Sequence, residues 1–429
     1  MIARQSSQRV GAGIAVLRVA TFGGKLALTL YMGRYLSLSE IGTYGLVFGA
    51  VMVLTIVLGC RLDYVMSRDL VRVSSKTAAL KMRDQTVFYF VNYLIAAACI
   101  AFLMVTNATA ISPRMLGYVL ALTISNSCVD FAYSNLNAME KPLLANALFF
   151  IAGGAWCIAA IAFGLVEPHF RSVDAILIAW FAGNIVFCIA TCWALRRMPW
   201  PEVFGQPVDW GWIGKSVRKS FLFWIGMIGL SVGAYTDRFV LMHFVGLDEV
   251  GIATFYLSLA GAVLTLVQAT VLAVAYPRLV ASHRDGLTEV FQREVQKTSR
   301  QVLFLATLAG VAVGLAVPLL GSLFGRPEFA KYAPILWMII CAMWIKANAE
   351  LLYQVLFARH QDRAIWLGNL LYLLPAVATT GLFVWLLGFY GVGVGALVAS
   401  LFIYFWRRWA ARSYSLVLDL PRQAERAPA

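Results

Sequence analysis

"LSEIG", Leu38 to Gly42, has a near-copy in "LDEVG", Leu247 to Gly251, and the offset of 209 residues is close to half of the 429-residue chain. Three identities in five positions carry no weight by themselves, so placement decides their meaning. Each pentapeptide sits in a short break between two long apolar stretches, where an acid precedes a Gly that opens the next stretch. Beyond each following stretch a Leu-Val pair, Leu70-Val71 or Leu279-Val280, enters a basic, amphipathic segment. The chain reads as a duplicated unit.

The nature of that unit follows from composition. Hydrophobic residues make up 61% of the chain and charged residues only 13%, where a soluble domain carries roughly a quarter charged. Twelve apolar stretches, from residues 11–32 to residues 390–406, are each long enough to cross a hydrocarbon core about 30 Å thick. Segments of that length satisfy their own backbone in lipid only as helices. The expected fold is therefore all-α: a polytopic membrane protein of about 12 transmembrane helices. Six spans precede the repeat boundary and six follow it, in the same orientation, which predicts two pseudo-symmetric six-helix bundles around a central cavity. The expected divisions are an N-terminal bundle over residues 1–200, an amphipathic linker over 201–220, a C-terminal bundle over 221–410 and a tail over 411–429. The first span contains Arg18 and Lys25, is about twice the length of a signal-peptide core, and is expected to be retained.

The net charge of +14 has a distribution that excludes a nucleic-acid partner. With the N-terminus inside, the inner segments hold 26 of the 35 basic residues and the outer loops hold five. This is the positive-inside bias, and it predicts that both termini are cytoplasmic and that basic charge meets anionic membrane lipid. Three inner connections are long: residues 61–85, 196–220 and 277–301. In the first, Leu62, Val65, Met66, Leu70 and Val73 follow helical spacing among Arg61, Arg68, Arg72 and Lys76, as in a helix lying in the headgroup plane. The second, with "MPWPEVFGQPVDWGW", is the expected linker.

The seven cysteines lie in or at the ends of apolar spans without a C-x-x-C pair, and the four histidines are scattered. No metal site or cofactor is expected. Cys188 and Cys192, on one helix face, are expected as buried small residues. No G-x-x-x-x-G-K-[ST] loop provides an ATPase, and "GVGVGAL" (Gly391 to Leu397) reads as a close-packing helix start rather than a nucleotide loop. No catalytic residues are expected.

Four stretches, three of them built around segments already quoted, carry a resemblance: "GRYLSLSEIGTYGLV", "DRFVLMHFVGLDEVGIATFY", "LFGRPEFAKYAPIL" and "GFYGVGVGALVAS". With them the chain resembles the polysaccharide-specific transporters of the multidrug/oligosaccharidyl-lipid/polysaccharide exporter superfamily, which includes O-antigen and exopolysaccharide flippases. The resemblance implies an undecaprenyl-pyrophosphate-linked oligosaccharide as substrate, moved from the inner to the outer leaflet of the bacterial cytoplasmic membrane. It also implies polysaccharide polymerase and chain-length machinery as partners. Two alternatives share parts of the pattern. One is a cation-coupled multidrug antiporter of the same superfamily, which would favour an acidic or aromatic cavity. The other is a membrane-embedded glycosyltransferase or polymerase, which the short outer loops disfavour.

Ionisable residues within spans cost about 2.5–3.5 kcal/mol each at a helix centre and rarely face lipid. Seven stand there: Arg18, Lys25, Asp130, Asp237, Arg238, Lys346 and Glu350. Arg18 and Lys25 are seven apart on one face; they serve either as phosphate ligands or as partners of buried acids. Asn126 and Asp130 belong to a polar stripe with Thr123, Ser127, Ser134 and Asn137, which either lines a cavity or hydrogen-bonds neighbouring helices. Asp237 and Arg238 are adjacent, so about 100° separates their directions and simple neutralisation along the helix is not expected. Arg18, Lys25, Arg238, Asn126 and Asp130 are the expected substrate-binding set. Asp130, Asp237 and Glu350 are the expected ion-coupling carboxylates, and Lys346 with Glu350, four apart, the expected structural pair.

Overall fold

The computed structural model describes residues 2–106 and 112–424; residues 425–429 of the expected tail lie outside the described residues. Every regular element among them is helical. The chain divides into two compact units, Met1–Trp224 and Ile225–Ala429.

In the first unit, α1 (Ile2–Tyr35) and α2 (Leu38–Gly59) are followed by a short helix, α3 (Leu62–Asp69). Then come α4 (Ser75–Thr106), α5 (Pro113–Ala138) and a span made of α6 (Pro142–Phe150) and α7 (Trp156–Val166), joined by a π turn at Ile151–Ala155. The unit closes with α8 (Val173–Leu195), α9 (Trp200–Phe204) and the first turns of α10 (Trp210–Phe244). The second unit continues with α11 (Leu247–Val267), a π turn at Gln268–Leu272 and α12 (Ala273–Arg284). After these come α13 (Thr288–Phe324), α14 (Glu328–Lys331), α15 (Ala333–Ala358), α16 (Asp362–Leu371), α17 (Leu373–Leu387) and α18 (Gly391–Ala424).

Eleven helical segments among the described residues are long and apolar enough to cross a membrane. The last, Asp362–Ser413, runs for 52 residues, about 78 Å of continuous helix at 1.5 Å per residue and far more than one crossing needs. It turns back at Gly388, whose φ of +59° suits glycine, and so holds two crossings. An added Cβ at Gly395 would meet Thr380 Oγ1 at 2.6 Å, and one at Gly393 would meet Met338. The glycine run thus packs α18 tightly against α17 and α15. Many apolar side chains face outward, with Phe102 67% and Leu319 70% exposed, as expected of a surface that lipid solvates. Cys192 is exposed and Cys188 half-buried, so they do not form the expected buried pair.

Both pentapeptides start a helix at their leucine, three or four residues before the expected span starts, which places Glu40, Asp248 and Glu249 in first turns. The two copies are capped differently. Ser37 and Glu40 form a capping box on α2, and Glu40 Oε1 also accepts from the Val173 amide at the start of α8 at 3.2 Å. In the second copy Gly246, at φ +153°, takes the cap position without a side-chain bond.

The first two inner connections differ from expectation in one way: buried residues anchor them to the first unit. Leu62, Val65, Met66 and Leu70 are buried, with Met66 and Leu70 packed beside Val129 and Leu136 of α5. Four of the five expected lipid-facing positions are therefore occupied by the bundle, and only Val73 is exposed. Residues 201–220 are likewise no free linker. Arg83 Nη1 donates to the carbonyls of Val203 and Gln206 at 2.6 Å each, and Arg83 Nη2 donates to that of Pro207 at 2.9 Å. Arg83 Nε donates to Asp84 Oδ1 at 2.9 Å, and both side chains are only 6% exposed. Trp212 Nε1 and Lys81 Nζ both donate to Asp69 Oδ2 at 2.9 Å. Burial raises the Asp69 pKa, but these two hydrogen bonds and the charges of Lys81 and Lys219 outweigh it and hold the carboxyl below its ordinary value. Ser220 Oγ reaches the Cys60 carbonyl at 2.8 Å, and Trp224 Nε1 reaches that of Ile56 at 3.0 Å. The third connection shrinks to residues 285–287 because α12 and α13 extend toward each other, with Phe291, Thr298 and Val302 on one buried face of α13.

Candidate functional site

Close backbone contact in each unit positions its charged residues. An added Cβ at Gly24 would lie 2.8 Å from the Gly154 carbonyl oxygen, so α1 packs backbone to backbone on the π turn of residues 151–155. The second copy repeats the device. Added Cβ atoms at Gly226 and Gly229 would lie 2.8 Å from the Trp366 carbonyl oxygen and from Leu370 Cα, which brings α10 against α16.

In the first unit this contact sets Arg18 Nε 3.1 Å from Asn146 Oδ1. The Asn146 amide nitrogen is itself fixed on the Pro142 carbonyl at 2.7 Å, so its oxygen is presented to the guanidinium. No acid pairs with Arg18 among the described residues, and its two terminal nitrogens make no hydrogen bond there. Lys25 lies about 10 Å further along α1, and its side chain makes neither a hydrogen bond nor an ion pair among the described residues, although its charge acts on Asp130. Arg18, Lys25 and Asp130 are all exposed. Asn126 Nδ2 approaches Asp130 Oδ2 at 3.5 Å, at the outer limit for a hydrogen bond.

The α5 stripe divides by role. Ser127 and Asn137 bond back to their own helix, at 2.8 Å to the Thr123 and Tyr133 carbonyls. The links to other helices come from residues beside the stripe: Asn135 Nδ2 to Gln85 Oε1 at 2.8 Å, and Asn184 Nδ2 to Ser125 Oγ at 3.1 Å. Asn126 and Asp130 are left with their polar atoms largely uncommitted to the fold.

In the second unit, the pairings differ from those the spacing suggests. Arg238 Nη1 lies 3.2 Å from Asp237 Oδ1, and that oxygen also accepts the Arg238 backbone amide at 2.8 Å. The long, flexible arginine stem folds back across the 100° between them, so these neighbours do neutralise one another. Arg238 is buried and stacks on Tyr235, with its Nε unpaired. Glu350 pairs with Arg407 at 2.8 Å, not with Lys346. Lys346 Nζ instead lies 5.6 Å from the Tyr372 ring centroid. Arg407, 3% exposed, also donates to the Ala349 carbonyl at 3.0 Å and to Asn369 Oδ1 at 3.3 Å. Sequence reasoning missed Arg407 because it follows span 12 and counts as tail charge. Its helical register with the buried Ser400, Ile403 and Ala410 was the available signal.

No cluster of three or more metal-ligating side chains occurs among the described residues. The arrangement offers electrostatic and hydrogen-bonding chemistry: uncommitted cations on one face of α1, an accessible Asn-Asp pair on α5, and a self-compensated charge group in the second unit.

No family model and no curated protein matches the chain. Solved structures do match in fold. A lipid II flippase, MurJ, in an inward closed conformation aligns with a TM-score of 0.74 at 11% identity, covering 93% of this chain and 87% of that one. A multidrug resistance MATE family transporter of the MOP superfamily, inward-facing, aligns at 0.69 and 12% identity, covering 93% and 98%. A mutant of the Vibrio cholerae MATE transporter VcmN aligns at 0.57 and 13%, covering 95% of each chain. At these identities the likeness establishes the fold alone, an all-helical multi-pass fold that the chain shares with these proteins.

Proposed function

We propose that this chain is a flippase that carries an undecaprenyl-pyrophosphate-linked oligosaccharide from the inner to the outer leaflet of a bacterial cytoplasmic membrane by alternating access, with both termini cytoplasmic. The observation that carries this reading is the pair of exposed cations, Arg18 and Lys25, on one face of a spanning helix with no acid paired to either among the described residues. Cations serving only the fold would be neutralised there, as Arg407 is by Glu350. A pyrophosphate group provides the missing counter-charge, and its anionic oxygens match the free edge of the Arg18 guanidinium. Asn126 and Asp130 provide an acceptor-rich surface suited to sugar hydroxyls. The similarity to a lipid II flippase supports a lipid-linked substrate. The similarity to multidrug transporters, with Asp130 exposed, supports a cation-coupled drug antiporter as the second reading.

Reconstituted vesicles separate the two. Purified protein is expected to accelerate the inward-to-outward movement of a fluorescent undecaprenyl-pyrophosphoryl oligosaccharide. Vesicles that instead export a cationic dye and leave the lipid-linked sugar where it began decide for the antiporter.

Without an ATPase, any energy source must enter through an ion gradient or through removal of product. Asp237 and Glu350 are each committed to an arginine, so Asp130 is the carboxylate free to exchange a proton or sodium ion. Asp130→Asn should flatten the dependence of the initial flipping rate on an imposed proton or sodium gradient. Unchanged gradient dependence in this variant removes Asp130 from coupling.

A further inference from the structure

We propose that the second unit holds a membrane phospholipid headgroup in a cleft between the α11–α12 segment and α13, apart from any transported substrate. The cleft has a volume of about 390 Å³ and is lined at one end by Arg278, Glu294, Lys297 and Gln301, and at the other by apolar side chains including Val274 and Phe304. No hydrogen bond or ion pair among the described residues engages the side chains of Arg278, Glu294 or Lys297, although other nearby charges are paired, as Arg293 is with Glu289. Three charged side chains around one cleft without partners in the fold are arranged for something outside it.

The order of the lining identifies the occupant. Along α13 the side chains run from charged to apolar, Glu294 and Lys297 to Phe304. Along α12 they run from Arg278 to Val274, toward the preceding π turn. Because the two helices are antiparallel neighbours, the charged ends coincide and the apolar ends coincide. The cleft is therefore amphiphilic along the direction in which a lipid stands. Val274 is 53% and Phe304 71% exposed, and both lie in segments able to span the membrane. Its wall includes the π turn Gln268–Leu272, an irregularity that often accompanies ligand sites. The volume is enough for a phosphoglycerol group and the first carbons of its chains.

A phosphodiester between Arg278 and Lys297 supplies the counter-charge, and a headgroup hydroxyl donates to Glu294. Phosphatidylglycerol meets both requirements. Phosphatidylcholine has the phosphate without a donor, and free glycerol phosphate has the polar chemistry without the chains.

The test uses the full-length protein in detergent, with thermal unfolding followed as each compound is added. Phosphatidylglycerol should raise the wild-type Tm above the value in phosphatidylcholine, and glycerol phosphate should not. The Arg278→Gln, Lys297→Gln double variant should lose that difference. Native mass spectrometry of the same variant should show roughly 30-fold weaker retention of phosphatidylglycerol, each basic side chain near an anionic headgroup being worth about fivefold. Both arginine and lysine positions are exposed, and the native spectrum reports lipid retention directly even if the variant's Tm is altered. Equal stabilisation by the two lipids, a matching shift from glycerol phosphate, or unchanged retention by the double variant would each overturn the proposal.

Discussion

A protein carrying both Arg18→Ala and Lys25→Ala is expected to reach the membrane in normal amount and to lose lipid-linked oligosaccharide flipping by at least about 100-fold. The magnitude follows from two charge-assisted contacts worth about 1.5–3 kcal/mol each. Normal folding is expected because both side chains are exposed and only Arg18 Nε bonds to the protein, at 3.1 Å to Asn146. Arg18→Lys should retain part of the activity, keeping the charge and losing the planar fork. A purely structural role for these cations predicts a different pattern: reduced protein levels, relieved when Asp130→Asn removes the acid on which the Lys25 charge acts. Flux in vesicles, normalised to reconstituted protein, distinguishes the outcomes. Wild-type flux from the double variant would eliminate the pair from substrate binding.

The largest effect on stability is expected from Arg83→Ala. This one guanidinium satisfies the carbonyls of Val203, Gln206 and Pro207 and neutralises Asp84, all around a side chain 6% exposed. Removing it strands a buried carboxylate and three acceptors, a loss of about 3–5 kcal/mol by comparison with other broken buried pairs. Asp84 would still accept from the Asp209 amide, at 3.4 Å, a contact too long to compensate. Residues 196–215 should then become sensitive to trypsin, read as cleavage near Arg196, Arg197 or Lys215 in inside-out vesicles. A variant that resists trypsin as the wild type does would show that this clamp is dispensable.

The helices were legible because the signal for a membrane span is long and redundant: twenty or so apolar residues tolerate errors of several positions. The repeat was legible for a similar reason, since a helix start beside a span boundary is marked locally by an acid and a glycine. Charge partners were not legible in this way. Spacing suggested that Lys346 would meet Glu350, yet Arg407, 57 residues away from Glu350, takes that carboxylate. Likewise Arg83 looked like one more cytoplasmic charge, and only the packing of α9 and its following turn shows it buried. One-dimensional spacing constrains neighbours on the same helix, whereas a buried charge selects among every group the tertiary structure brings within reach. For Arg18 and Lys25 the spacing gave the shared helix face, and only the tertiary structure shows that neither has a partner acid among the described residues.

The glycine contacts of α1 and α10 and the shared pentapeptide mark the chain as an internal duplication, but the two copies are no longer equivalent as pieces. Shifting Ile2, where α1 begins, by the repeat offset lands one residue past Trp210, where α10 begins. The boundary between compact units nevertheless falls after Trp224. Fifteen residues of the second copy, about four helical turns, are thus incorporated into the body of the first, held there by Trp212, Ser220 and Trp224. The ancestral seam and the present-day seam no longer coincide. A cut at the repeat boundary would therefore divide a packed body, so the duplicated segment and the folded unit are now different pieces of the chain.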